Sequence, residues 1–262
     1  MKIALIQMEI IDGNIKLNVE KAISLIRKAI SLGAKIVALP ELWTTGYDLK
    51  NIKSLSTTKE NLKALPVLQN FADKNDIYIV GGSIATNIGG CLYNRAYLIS
   101  NNGSIVTTYD KLHLIPLFKE DLYFSPGTKL CSYELSNIKC GILICYDLRF
   151  PELARDLTIK KGCNILFIPS EWPSIRGEHW LILNRARAIE NQLYICAINR
   201  VGTNENTNYF GNSLIIDPYG NIIAQGSSNN EEVIVENIEI SKVVEARESI
   251  PSLKGIRMEL YK

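Results

Sequence analysis

Residues 139–152 read Lys139-Cys140-Gly141-Ile142-Leu143-Ile144-Cys145-Tyr146-Asp147-Leu148-Arg149-Phe150-Pro151-Glu152, and this order decides the fold class. Lys139–Cys145 is an apolar run of strand length. Pro151 stands where a helix can begin, because the first helical residue has no N–H bond to lose. Gly162 stops that helix, and Asn164–Pro169 is apolar again, which completes a β-α-β unit. The unit continues with a helix over Gly177–Gln192 and a strand over Leu193–Ile198.

The N-terminal part repeats the pattern. Lys2–Gln7 reads as a buried strand, and Ala22, Ile23, Ile26, Ala29 and Ile30 follow the 3.6-residue period of an amphipathic helix that Gly33 ends. Ile36–Leu39 is a short apolar strand closed by Pro40 and followed by Glu41. The spacing predicts a second helix over Lys59–Lys74, kinked or split at Pro66, then a strand Ile77–Val80 punctuated by Gly81-Gly82. Cys91–Ile99 and Ile105–Tyr109 flank Asn101-Asn102-Gly103 as a hairpin, and Asp217-Pro218-Tyr219-Gly220 turns a last one before the strand Val233–Ile238. The long loop Lys111–Gly127 carries Lys111, His113, Glu120 and Asp121.

Composition sets the class of molecule. The 262 residues are 47% hydrophobic and 21% charged, enough to bury a core, which argues against disorder. With 29 basic and 27 acidic residues the formal net charge is only +2, and no basic block marks a nucleic-acid surface. No stretch approaches the ~20 apolar residues of a membrane span, and Lys2–Gln7 is too short for a signal-peptide core. The expected location is therefore the cytoplasm. Six cysteines without a CxxC, and only two histidines, speak against a zinc site or a disulfide framework. No low-complexity linker divides the chain, so residues 1–262 are expected to form one domain.

Several strands end in groups that can do chemistry: Glu41, Cys145, Ser170-Glu171 and Asn199-Arg200, with Lys111 two residues past Tyr109. Ligands of open α/β sheets bind beyond such carboxyl ends. Cys145 has the best local case among the thiols. A strand-to-helix turn exposes it to a cleft, sets it in the field of a helix N-terminus that favours thiolate, and offers main-chain N–H groups to an oxyanion. Packing suffices to account for Cys140, Cys163 and Cys196. Ile36–Trp43 (IVALPELW) and Ile165–Trp172 (ILFIPSEW) echo each other; chance and a pseudo-symmetric sandwich both account for that.

Leu39-Pro40-Glu41, Tyr109-Asp110-Lys111-Leu112-His113 and the stretch Gly141–Glu152 resemble, in order and spacing, the motifs of the nitrilase (carbon–nitrogen hydrolase) superfamily. Phe124-Ser125-Pro126-Gly127, Ala186–Gln192 and Asn199-Arg200-Val201-Gly202 extend the resemblance over nearly the whole chain. It implies a four-layer α-β-β-α sandwich and homo-oligomers built on a dimer, with the C-terminal tail (about 240–262) in oligomer contacts. The family's catalytic triad falls on Glu41, Lys111 and Cys145, and its second glutamate on Glu120. No metal or organic cofactor is implied.

In that chemistry Cys145 attacks an amide carbon, Glu41 is the general base, and Lys111 with the Tyr146 N–H stabilises the oxyanion. Lys111 also favours thiolate at Cys145. Glu120 positions substrate or Lys111, or assists proton transfer, and His113 is structural. Cys145-Tyr146-Asp147, in place of the Cys-Trp-Glu of true nitrilases, together with Glu171-Trp172-Pro173, Arg176 and His179-Trp180, is similar to the omega-amidase group. Those enzymes cleave the terminal amide of dicarboxylate monoamides such as 2-oxoglutaramate or 2-oxosuccinamate. A substrate carboxylate wants an Arg fork, for which Arg149 and Arg176 are candidates. Arg149 has a competing reading as an ion-pair partner of Asp147 or Glu152. Arg187 and Glu190 read as a helix salt bridge, and Tyr146 and Trp172 as pocket walls or packing. A related amide or N-carbamoyl hydrolase, and more distantly a non-catalytic binding protein on the same fold, are the rival readings.

Overall fold

The computed structural model describes residues 1–204 and 207–260. In the first sheet, β1 (Lys2–Gln7), β2 (Ile36–Ala38) and β3 (Tyr78–Ile88) run parallel, connected by α1 (Ile15–Ser31) and by α2 (Ile52–Ser56) with α3 (Lys59–Asn75). β4 (Cys91–Ile99) and β5 (Ile105–Asp110) extend it as antiparallel strands. The second sheet is built alike. β7 (Ile138–Ile142), preceded by the antiparallel β6 (Ser132–Leu135), runs parallel to β8 (Ile165–Ser170) and β9 (Tyr194–Asn199), with α4 (Pro151–Ile159) and α5 (Gly177–Asn191) as the crossovers. A two-residue ladder, β10 (Thr203–Asn204) with β11 (Thr207–Asn208), leads to β12 (Leu214–Ile216) and β13 (Ile222–Gln225) at the sheet edge. β14 (Glu232–Asn237) then crosses to pair antiparallel with β1, and α6 (Ser241–Ser249) follows it. The two orders are β14-β1-β2-β3-β4-β5 and β13-β12-β9-β8-β7-β6.

The strands read as continuous apolar runs because both of their faces are covered. On β1, Ile3 and Leu5 enter the core shared with the second sheet, where they meet a cluster that includes Ile142, Phe167 and Ile198. Ala4 and Ile6 point the other way, into the layer formed by Ala22, Ile26 and Ala29 of α1 and Ala64, Leu68 and Ala72 of α3. Four layers, α-β-β-α, follow from this alternation. α1 starts where the Asn14 side chain accepts from the Leu17 N–H (3.2 Å).

Three expectations change. Pro66 neither ends nor splits α3, which runs unbroken from Lys59 to Asn75. The proline lies on the solvent face, where water can reach the Leu62 carbonyl that its missing N–H leaves free. The strand expected at Ile77–Val80 continues to Ile88, because Gly81 and Gly82 form a bulge, a register shift between Val80 and Ser83, instead of a stop. The strand expected to reach Cys145 leaves the ladder after Ile142. The Ile144 N–H bonds to the Asp147 carboxylate (3.1 Å), and Cys145 takes φ +45°, a left-handed conformation no strand can hold. Among the described residues, no helix is long and apolar enough to cross a membrane.

α6 packs on its own chain. Gln192 Nε2 donates to the carbonyls of Ala246 (2.8 Å) and Ile250 (2.7 Å), and Val243 joins the central core. Residues 261–262 of the tail expected in oligomer contacts lie outside the described residues.

Candidate active site

The carboxyl ends of β2, β5, β7 and β8 converge, and each delivers a side chain. After β2 the chain turns at Pro40-Glu41-Leu42. Gly82 makes room for the turn, since a Cβ there would stand 2.0 Å from the Pro40 carbonyl oxygen. Leu42 takes φ +41°, and its N–H donates to Ser83 Oγ (2.9 Å). Glu41 is thereby turned inward. Lys111 follows β5, with its N–H bonded to the Asn94 carbonyl (3.0 Å), and Glu120 sits on a single 3₁₀ turn within the long loop.

Glu41, Lys111 and Glu120 form one buried ionic set. Lys111 Nζ donates to Glu41 Oε1 (2.8 Å) and to Glu120 Oε2 (2.8 Å), and all three side chains are shut off from solvent. Glu41 Oε1 also accepts from Tyr47 Oη (2.8 Å) and Asn94 Nδ2 (2.8 Å). Glu41 Oε2 accepts from the Glu171 main-chain N–H (3.0 Å). Glu120 Oε2 is further held by the Ile115 N–H (2.9 Å) and Oε1 by Asn94 Nδ2 (3.1 Å). Burial by itself pushes the lysine toward its neutral form. The charges of Glu120 and Glu41 outweigh that and hold Lys111 above its ordinary range, as a fixed cation. Burial, reinforced by Glu41, pushes the Glu120 carboxyl up against the pull of Lys111.

Cys145 opens the five-residue 3₁₀ helix Cys145–Arg149 in the strained conformation that a nucleophile turn requires. The pull of Lys111 toward thiolate is outweighed here. Burial, followed by the charge of Glu41, pushes the Cys145 thiol well above its ordinary value, and Lys111 with the Glu171 N–H offsets only part of this. The resting group is therefore a thiol that needs a base, and the Glu41 carboxylate is among the groups that act on it.

Asp147 anchors the turn. Its Oδ2 accepts from Tyr109 Oη (2.7 Å) and the Ile144 N–H (3.1 Å). Its Oδ1 accepts from the His113 N–H (2.9 Å) and faces His113 Nδ1 (3.0 Å). His113 stacks on Phe150 with ring centroids 3.5 Å apart, which fits the structural reading of that histidine.

A cleft opens over the thiol, lined by Tyr47, Tyr146, Arg149, Trp172 and Arg176 together with Cys145. Arg149 is not paired with Asp147 or Glu152, because Asp147 is already saturated. Its guanidinium instead lies 4.7 Å over the Trp172 ring, and Nη1 is 3.4 Å from His179 Nδ1. Burial lowers its pKa from the ordinary arginine value. Among the described residues neither Arg149 nor Arg176 makes an ion pair. The helix pair Arg187–Glu190 is present (3.0 Å). Tyr47 and Asn94 escaped the sequence reading: neither stands at a strand end, and nothing local marks a residue that only closes a network.

The fold and this site define a class, the hydrolases that cleave carbon–nitrogen bonds. The chain belongs to the carbon–nitrogen hydrolase family, which matches residues 2–248. It is similar to the 2-oxoglutaramate amidase of Bacillus subtilis (strain 168), 42% identical over 259 residues that cover 99% of this chain and 98% of the relative. It is also similar to the Homo sapiens omega-amidase NIT2, 32% identical over 271 residues, 99% of this chain and 96% of the relative. The crystal structure of Saccharomyces cerevisiae Nit3, a member of branch 10 of the nitrilase superfamily, superposes with a TM-score of 0.88 at 29% identity, over 96% of this chain and 94% of that one.

Proposed function

We propose that residues 1–262 are one catalytic unit that hydrolyses the terminal amide of a small carboxylate-bearing substrate, 2-oxoglutaramate or 2-oxosuccinamate being the type. The observation that carries the reading is the meeting of the buried Glu41–Lys111 pair with Cys145, beneath a cleft whose wall holds two arginines, Arg149 and Arg176, with no ion pair among the described residues. The Cys145 thiol gives its proton to Glu41 and the sulfur attacks the amide carbon. Lys111 and the Tyr146 N–H hold the developing oxyanion. Glu41 returns the proton to the leaving nitrogen, the C–N bond breaks, and ammonia departs from a thioester on Cys145. Glu41 then takes a proton from water, whose oxygen adds to the thioester carbon. Collapse releases the carboxylate product and restores the thiol. Glu120 holds Lys111 in place, and Arg149 and Arg176 take the substrate carboxylate while Trp172 and Tyr146 wall its chain.

The experiment is ammonia release from 2-oxoglutaramate, succinamate, glutaramate, asparagine, simple nitriles and N-carbamoyl compounds. Turnover confined to dicarboxylate monoamides supports the reading; inert monoamides beside active nitriles or carbamoyl compounds overturn it. The same proposal includes a cytoplasmic homodimer. Its support is the apolar pair Ile182 and Ile189, 59% and 50% exposed one heptad apart on α5, with Ile175, 87% exposed, on the 3₁₀ turn just before the helix. The free state of all six thiols agrees with a reducing compartment. Sedimentation of the wild type against Ile182→Glu tests it, with a monomeric variant expected.

A further inference from the structure

Behind the base lies a second buried contact between an acid and a cation that the proposed chemistry does not use. Glu171 Oε2 and Arg200 Nη1 are 2.6 Å apart with both side chains closed to solvent. Arg200 is gripped on every side. Asp12 Oδ1 lies 3.4 Å from Nη1, Nη2 donates to the Ile10 carbonyl, Nε donates to the Val201 carbonyl (3.3 Å), and the Tyr209 ring stacks at 4.0 Å. The neighbouring residue is clamped as firmly: Asn199 Oδ1 accepts from the Trp172 N–H (2.7 Å), and Nδ2 donates to the carbonyls of Trp172 (3.3 Å) and Gly211 (2.9 Å). The loop after β1 and the ends of β8 and β9 are thus tied into one block.

To the Glu41 carboxylate this block presents, among the described residues, one main-chain donor. Glu41 Oε1 is filled by Lys111, Tyr47 and Asn94, whereas among the described residues Oε2 accepts only from the Glu171 N–H. A carboxylate oxygen has two lone pairs, so Oε2 is the atom with capacity left for the thiol proton, and the Glu171 N–H fixes its direction. We propose that the Glu171–Arg200 pair is a positioning device for the Glu41 base, aiming Oε2 at Cys145 through the main-chain N–H of Glu171. The inference rests on Glu41 being the base of the proposed hydrolysis, and Glu171 and Arg200 act through it, not on substrate.

The charged and titratable groups that face Glu41 are Lys111 and Glu120 of the long loop, Tyr47 of the turn after β2, Cys145, and Glu171. Of these, Arg200→Met alters only the last. In that variant, Glu171 loses its anchor and its N–H drifts from Oε2. With 2-oxoglutaramate, kcat is expected to fall about tenfold or more while KM changes less than about threefold, since a misaimed base costs rate and not binding.

A substrate-independent readout follows, the acid-side midpoint for modification of Cys145 by methyl methanethiosulfonate, read by peptide mapping. It should move up by about half a pH unit or more. Arg200→Lys, which can still reach Glu171, should return most of both losses. Glu171→Gln keeps the volume and an acceptor for Arg200; should Arg200→Met not fold, it still tests the idea through a kcat lowered about threefold or more. Wild-type kcat and midpoint in folded Arg200→Met, wild-type kcat in Glu171→Gln, or a change in KM alone overturns the proposal. If the wild type hydrolyses no monoamide, the substrate reading fails by itself, and the modification midpoint still decides the positioning role.

Discussion

Two buried clusters lie back to back in this protein, and each consists of two carboxylates around one cation. Lys111 lies between Glu41 and Glu120; Arg200 lies between Glu171 and Asp12. Glu41 follows β2 and Glu171 follows β8 in the two echoing stretches IVALPELW and ILFIPSEW, offset from each other by one position. The echo is thus matched in three dimensions by two parallel three-stranded centres. The difference lies in the cation and in what it touches. Lys111 carries a compact point charge next to a nucleophile turn. Arg200 spends its fork on carbonyls, carboxylates and an aromatic face, which suits bracing. The same ionic hardware serves reaction on one side and rigidity on the other, and a substitution should betray which is which.

The largest effects belong to the first cluster. Cys145→Ala should lower amide turnover by at least about 10⁴-fold and abolish the acyl adduct that intact-mass measurement detects on the wild type. Lys111→Met should be as inactive and should also lose stability. It leaves Glu41 and Glu120 buried with no cation, a loss of roughly 3–5 kcal/mol measurable by chemical denaturation. Arg200→Met should lose less, about 1–3 kcal/mol, because Glu171 can take up a proton: burial already pushes its carboxyl up to about 8 against the pull of Arg200. Equal losses in the two variants would erase the distinction between the clusters.

Next in size is substrate selection, which neither ionic cluster governs. Arg149→Met or Arg176→Met should raise KM for 2-oxoglutaramate by about ten- to a hundredfold, the worth of a charged hydrogen bond. A neutral amide of the same length should be affected little. Steady-state kinetics on the two substrates makes the test; parallel losses on both would remove the arginines from carboxylate recognition.

The sequence displays the parts of this site that are set by backbone direction. A strand end announces itself as an apolar run closed by proline or a turn, so Glu41, Cys145 and Glu171 stood out, and the long polar loop drew attention to Lys111 and Glu120. Tyr47 and Asn94 did not stand out. Asn94 faces inward from the middle of β4, and only the meeting of two sheets makes it a donor to Glu41 and Glu120. Arg149 shows the opposite failure. Its neighbours Asp147 and Glu152 suggested a local ion pair, but Asp147 is consumed by Tyr109 and His113 from thirty-odd residues away. β6, a four-residue edge strand, and α6, which docks through Val243 and Ala246, carry too short a pattern to be legible without their partners. Pro66 reads as a kink or split and Gly81-Gly82 as punctuation because local propensity is all a sequence offers, while exposure and a bulge let the chain continue.

The smallest effect isolates the second cluster by pH. Burial raises the Glu171 carboxyl to about 8 from an unfolded value near 4.5, so the folded protein holds this proton more tightly than the unfolded chain. The stability it contributes is complete below pH about 4.5 and declines as pH rises toward about 8. Glu171→Gln cannot titrate and lacks that decline. The difference in Tm, wild type minus Glu171→Gln, should therefore become more negative between pH 5 and pH 8, with Lys111 and its two carboxylates common to both proteins. A difference that stays flat, or turns positive with rising pH, would mean that Arg200 keeps Glu171 ionised throughout. The second cluster would then be a fixed ion pair like Lys111–Glu41, and the contrast between a cluster that reacts and one that braces would rest on position alone.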